Sequence, residues 1–154
     1  MQAIKSAKPR PMSEKYPYRF VSTDWKRSIV LWWKLPLIWR WFAFSREPTM
    51  YVNSPDDPFE VAHEFGHVVW LWEDGPIKGY FKYLTSKSYK RDIECRSQAY
   101  RIRAMVNAGG YNAPEQFKVW GELTSRPGAY GLPYTAEECE IRIAYYYREL
   151  MLHA

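Results

Sequence analysis

The chain has 154 residues, of which 47% are hydrophobic and 18% aromatic, and it carries a formal net charge of +5. A chain of this length forms one domain and buries about two thirds of the surface that it exposes when unfolded. Two cysteines are too few for a disulfide-stapled domain and indicate a reducing compartment. The composition therefore excludes a disulfide scaffold and favours a single globular domain that can hold a preformed site.

Residues 1–24 are basic and contain three prolines but no apolar run, so they predict a flexible or surface-draped basic arm rather than a secretory signal peptide. The domain is then predicted to span residues 25–154. The apolar segment 29–44 is too short to cross a bilayer and contains Lys34, Pro36 and Arg40. These features predict a cytoplasmic protein that does not engage a membrane.

Strands are predicted in the first half of the domain. Residues 28–44 are rich in β-branched and aromatic side chains and are interrupted at Lys34–Pro36, which predicts two strands with a tight connection. A third, edge strand is predicted at Thr49–Asn53, because prolines flank it on both sides.

Helices are predicted in the rest of the chain. Asp57 is a favourable N-cap and Pro58 suits a first helical position, so a buried helix should run from Pro58 to about Glu73 and end before Gly75 and Pro76. Residues 77–89 are predicted to be a connecting segment. Further helices are predicted at Tyr89–Asn107 and over residues 113–123 and 136–152, with a loop over 124–135.

The first of these helices contains the sequence His63-Glu64-Phe65-Gly66-His67. Residues four apart lie on one face of a helix, so both imidazoles can reach one ion while Glu64 flanks it. This is the His-Glu-x-x-His pattern of metallopeptidases, in which the glutamate is the general base. The alternative is that the two histidines are buried helix residues hydrogen-bonded to the backbone or to tyrosines.

A catalytic zinc site needs a third protein ligand. Trp70 and Glu73 exclude the longer motif with a third histidine, and His153 lies at the far end of the chain. Two carboxylates of the second helix, Asp92 and Glu94, remain, and helical angles do not separate them. Asp92 can instead complement the helix dipole, and Glu94 can instead form an ion pair with an arginine of its own helix: Arg91, Arg96 or Arg101.

The sequence resembles the gluzincins, in particular the very small single-domain gluzincins and the short metallopeptidase-like proteins of phages. The resemblance covers roughly residues 49–107 and includes Glu94, Ser97 and Tyr100, which match the glutamate, small residue and aromatic residue of the family's second motif. It implies Zn²⁺ held by His63, His67 and Glu94. It also implies an α+β fold in which a small, mostly antiparallel sheet of about three strands packs on the two site helices, with a further helix at the C-terminus.

The resemblance implies a zinc-dependent peptidase in which Glu64 takes a proton from a metal-activated water. A peptide or protein substrate would lie as an extended strand along Thr49–Asn53. Gln98 departs from the pattern, because several gluzincins place an aspartate there to orient the first histidine. An accessory or assembly protein with weak or no activity is therefore an alternative.

Two other observations remain from the sequence. Residues 78–103 contain eight Lys or Arg and two Asp or Glu, so a nucleic-acid-binding protein with basic and aromatic residues is a second alternative. Tyr80, Tyr83 and Tyr89 precede the glutamate helix and are candidates to reach the site, although packing is the usual role of a tyrosine.

Overall fold

A computed structural model describes residues 16, 19–22, 49–52, 54 and 56–153. These residues form two short strands and five helices. The strands are β1 (Arg19–Ser22) and β2 (Thr49–Val52), and the helices are α1 (Pro58–Asp74), α2 (Pro76–Thr85), α3 (Lys87–Ala108), α4 (Ala113–Ser125) and α5 (Ala136–Leu152).

Most helices begin where the sequence predicts, because capping side chains define their first turns. The Asp57 carboxylate accepts the Phe59 N–H at 2.8 Å, which starts α1. Thr135 and Glu138 form a reciprocal capping box at the start of α5. The predictions of α1, α3, α4 and α5 are thus confirmed to within two residues at each end.

The segment predicted to connect the first two helices is itself helical, so that prediction is wrong. Gly75 adopts φ 82°, which ends α1, and Pro76 then occupies the first position of α2. Proline cannot extend the preceding helix, but its fixed φ suits the first turn of a new one. Single residues, Gly75 and Ser86, therefore separate α1 from α2 and α2 from α3.

Two groups of buried side chains hold the helices together. The first lies between β2, α1 and α3 and contains Met50, Val52, Phe65, Val68, Val69 and Tyr100. The second lies between α3, α4 and α5 and contains Cys95, Ile102, Cys139 and Ile143. Helix α3 contributes to both groups, so it is the central element of the described fold.

The expected α+β fold with a mostly antiparallel sheet is wrong. The described residues are mostly helical, and their two strands, of four residues each, pair in parallel with Phe20 opposite Met50. The prediction placed a strand at Thr49–Asn53, where β2 lies, but its partner comes from the segment predicted to be a basic arm. The strands predicted over residues 28–44 lie outside the described residues.

No helix in the described part of the chain has the length and apolar character needed to cross a bilayer.

Candidate metal centre

Two helices bring the predicted ligands together. Helix α1 places the imidazole rings of His63 and His67 with their centroids 5.1 Å apart, and α3 places the Glu94 carboxylate opposite them. His63 is 5% exposed and Glu94 is 1% exposed. Burial of His63 and Glu94 beside the partly buried His67 is costly unless these groups have partners.

A glycine permits the close approach of these helices. A Cβ atom on Gly66 would lie 2.7 Å from the Ser97 Cα and 3.1 Å from the Tyr100 ring. The small residue at position 97 and the missing side chain at position 66 therefore let α1 and α3 cross at nearly backbone contact. This crossing lies within one helical turn of all three candidate ligands.

The ligand atoms face one another at distances close to those of a metal site. Oε2 of Glu94 lies 3.6 Å from Nε2 of His67 and 3.9 Å from Nε2 of His63. One ligand atom from each of the three residues falls within 4.8 Å of the other two. Zinc bonds of about 2.0–2.1 Å in tetrahedral geometry place ligand atoms about 3.4 Å apart, so small shifts would complete such a site.

An unpaired oxygen supports the same interpretation. Oε2 of Glu94 is buried and has no hydrogen-bond partner among the described residues. A buried carboxylate oxygen without a hydrogen bond is rare, because only nearby charges then compensate its desolvation. A cation between this oxygen and the two imidazoles would compensate it, so the donor set of two nitrogens and one oxygen fits zinc.

The three groups shift one another's protonation. Burial lowers the pKa of His63 well below its ordinary value, and the nearby charges of His67 and Arg101 lower it further. Burial also lowers the pKa of His67, but the Glu94 carboxylate outweighs it and raises that pKa overall. Burial raises the pKa of Glu94, but the charges of His67 and Lys90 and the hydrogen bond from Tyr83 together outweigh it, so that this pKa is lowered overall. Without a cation, the cluster therefore pairs a charged His67 with Glu94 and keeps His63 neutral.

Glu64 follows His63 in α1 and has a perturbed carboxyl group. Burial raises its pKa from 4.5 to about 7, and the charges of Glu60 and Glu94 act in the same direction, while His67 opposes them. A carboxylate with a pKa near 7 exchanges protons readily at neutral pH, as a general base requires.

The competing carboxylate lies elsewhere. Oδ1 of Asp92 is 3.2 Å from Nε of Arg91 and 3.0 Å from Nε of Arg142, on α5. The structure therefore places Glu94 at the two histidines, and Asp92 in an ion-pair cluster between α3 and α5.

The arginines considered as partners for Glu94 are engaged with other carboxylates. Arg96 pairs with Glu73 at 2.6 Å, and Arg101 pairs with Glu60. Among the described residues, Glu94 has no arginine partner.

Gln98 is buried next to His63. Its Nε2 donates to the Tyr130 hydroxyl at 3.4 Å, while neither its Oε1 nor the Nδ1 of His63 has a hydrogen-bond partner in the described structure. The Gln98 amide raises the pKa of His63. Gln98 therefore lies next to the first histidine, at the position where several gluzincins have an aspartate, but its amide is neutral.

Two residues that contact this region were predicted only in general terms: Tyr83 as one of three tyrosines that could reach the site, and Arg101 as one of three possible ion-pair partners of Glu94. The Tyr83 hydroxyl, on α2, donates to Oε1 of Glu94, and burial raises the pKa of Tyr83 so that it remains a donor. Arg101 bonds the Phe59 carbonyl at 3.3 Å and lies 4.1 Å over the Trp120 ring. Neither has a distinctive spacing from the histidine motif, so only the tertiary fold identifies them.

No family model, curated protein or solved structure matches this chain.

Proposed function

We propose that this protein is a zinc-dependent peptidase of the gluzincin type. The observation that supports this proposal is the convergence of His63, His67 and Oε2 of Glu94, an oxygen without a hydrogen bond in the described structure, with Glu64 next to the first histidine. Two histidines with an intervening glutamate on a helix, together with a carboxylate from a second helix, form the donor set of a catalytic zinc site with an open position.

In this proposal bound zinc would lower the pKa of a water molecule and would polarise the substrate carbonyl. Residues of the chain carry out the other roles. His63, His67 and Glu94 hold the cation, and Glu64 accepts the proton of the attacking water and returns it to the leaving amine. The raised pKa of Glu64 suits this transfer, because the group must both accept and release a proton.

We propose that the substrate is a peptide or protein bound in an extended conformation. Strand β2 packs against α1, and β1 is its partner among the described residues. Extended peptides commonly add to an unpaired strand edge through backbone hydrogen bonds. The second edge of β2 is the place where we expect the substrate to lie.

A second candidate function is a protein that holds the metal without hydrolysing peptides. The neutral Gln98 next to His63 favours it, because an amide supports a metal-bound imidazole less strongly than a carboxylate does. Both candidates require the metal, and only the first requires Glu64.

Metal analysis combined with a cleavage assay tests the proposal. We expect about one zinc per chain, lost in His63→Ala, and zinc-dependent cleavage of an unstructured protein that disappears in Glu64→Gln while zinc remains bound. Bound zinc with no cleavage by the wild-type protein would favour the second candidate. A wild-type protein that binds no zinc under these conditions would refute both.

A further inference from the structure

The two oxygens of the Glu94 carboxylate lie in different surroundings. Oε1 accepts a hydrogen bond from the Tyr83 hydroxyl, whereas Oε2 has no hydrogen-bond partner in the described structure and faces Nε2 of both histidines. A carboxylate in which one oxygen is already engaged presents the other as a single ligand atom. The difference between the two oxygens therefore arises from the residues around Glu94.

Tyr83 is held in place from three sides. Its ring lies 5.2 Å from the Trp70 ring, at an interplanar angle of 37°, and stacks on Tyr80 at 6.5 Å. The Lys90 ammonium group lies 5.3 Å from its centroid. Because α2 is joined to its neighbours by single residues at both ends, the ring has little freedom to move away from Glu94.

We propose that Tyr83 is a positioning residue for the metal: its hydroxyl fixes the Glu94 carboxylate so that Oε2 alone binds the cation. The inference rests on the metal site of the proposed function, but not on peptide hydrolysis. Hydrogen bonds to ligating carboxylates orient them, and loss of such a bond typically weakens metal affinity by about 10–100-fold. Without the hydroxyl, both oxygens are free to turn toward the cation, so the coordination number changes as well as the affinity.

The test compares Tyr83→Phe with the wild-type protein and with Tyr80→Phe. The first variant removes the hydroxyl and keeps the ring; the second removes a hydroxyl from the stacked neighbour and keeps the bond to Glu94. Zinc affinity is measured by competition with a chromophoric chelator. We expect zinc to bind about 10–100-fold more weakly in Tyr83→Phe and with wild-type affinity in Tyr80→Phe.

A second measurement separates positioning from a general loss of structure. With Co²⁺ in place of zinc, we expect the visible absorption of the wild-type protein to be that of a low-coordinate site, and that of Tyr83→Phe to be weaker, because a second carboxylate oxygen binds. A purely structural role would lower the melting temperature of Tyr83→Phe and leave its cobalt spectrum unchanged.

The outcomes distinguish this inference from the proposed function. Equal zinc affinity and equal cobalt spectra in Tyr83→Phe and wild-type protein would overturn the role of Tyr83, whether or not the protein cleaves peptides. A wild-type protein that binds zinc but cleaves nothing, with the expected change in Tyr83→Phe, would support positioning and refute the peptidase. Failure of the wild-type protein to bind zinc would overturn both.

Discussion

The environment of Glu64 makes the stability of the folded protein depend on pH. The Glu64 folded-state pKa of about 7 exceeds the ordinary value of 4.5 because the carboxyl group is buried. The folded protein therefore binds more protons than the unfolded chain between these two pH values, and its stability falls as the pH rises through them. Above pH 7 the cost is fully present and amounts to about 3 kcal/mol.

Glu64→Gln should therefore stabilise the metal-free protein in a pH-dependent way. Glutamine resembles the protonated carboxyl group, so we expect the variant to gain up to about 3 kcal/mol over wild type at about pH 8 and almost nothing at pH 4.5. Urea denaturation at the two pH values in the presence of a chelator measures the difference. A gain of the same size at both pH values would contradict the burial of an ionised Glu64.

His67 should make zinc binding depend on pH. Its raised pKa means that zinc, which binds neutral imidazole, must displace a proton from the His67–Glu94 pair. We expect affinity to fall as the pH falls, with release of close to one proton per zinc at about pH 6. Calorimetric titration in two buffers of different ionisation enthalpy counts these protons, and heats independent of the buffer at this pH would contradict the expectation.

At this scale the sequence identifies a residue when the relevant geometry is local. The relation of His63, Glu64 and His67 follows from the helical period alone. The choice between Glu94 and Asp92 does not, since it depends on Arg142 of α5, which pairs with Asp92. Tyr83 is one of thirteen tyrosines, and only its tertiary contact with Glu94 distinguishes it from the rest.

Two helix crossings in this fold depend on glycine. Gly66 lies where α1 meets α3, and Gly121 lies where α4 meets α5, with an added Cβ 2.9 Å from the Ala136 carbonyl oxygen and 3.0 Å from the Glu140 nitrogen. At Gly121 the three nearest atoms all belong to backbone, which cannot rotate away, and at Gly66 the nearest atom is the backbone Cα of Ser97. An added Cβ could be accommodated if the two helices moved apart, which would weaken the packing between them.

Gly66→Ala and Gly121→Ala therefore form a matched pair. We expect each to lower the free energy of unfolding by about 1–3 kcal/mol through overpacking, offset in part by the higher helix propensity of alanine. Only Gly66→Ala should also weaken zinc binding, because it separates the histidines from Glu94. Chemical denaturation and chelator competition measure the two effects, and equal zinc affinities in both variants would show that the crossing does not set the ligand geometry.

Helix boundaries with side-chain caps can be predicted from the sequence, whereas the presence of α2 cannot. The α2 sequence begins with a proline, contains Gly79 and places Ile77, Phe81 and Leu84 toward solvent. Its apolar residues therefore do not mark a buried face, and its glycine and aromatic residues have modest helix propensity. Packing of Tyr83 and Gly79 against Trp70 accounts for its position better than its own sequence does.

For the whole molecule, the proposed cation connects two helices and should stabilise the fold. Zinc at about 100 times its dissociation constant stabilises the native state by about 2.7 kcal/mol, if the unfolded chain binds none. In a chain of this size that corresponds to a rise in melting temperature of about 5–10 °C. Differential scanning calorimetry with and without zinc measures it.

Two variants serve as controls for this shift. His63→Ala should abolish it, whereas Asp92→Asn should lower the melting temperature of the metal-free protein, by removing the ion pairs with Arg91 and Arg142, and retain the shift. A shift lost in Asp92→Asn and retained in Glu94→Gln would reverse the assignment of the third ligand.

The global arrangement is where prediction from the sequence was least successful. The expected antiparallel sheet came from the family resemblance and from β-branched and aromatic residues over 28–44, whereas the described strands form one short parallel pair. Parallel pairing joins segments that are distant in the chain, so local patterns carry no signal for it. Some aromatic residues of the described helices fill contacts between them, as Tyr100 does against Phe65, whereas others, such as Phe81 and Tyr145, are exposed.

The single-residue junctions at Gly75 and Ser86 bear on the order in which the chain acquires its structure. The three proposed ligands, together with Glu64 and Tyr83, all lie in the segment His63–Glu94. Short sequence separations make loop closure entropically cheap and contact formation fast. We therefore expect α1, α2 and the first half of α3 to pack together during synthesis, before α4 and α5 are complete. The later helices would then pack against a unit that can already bind the cation.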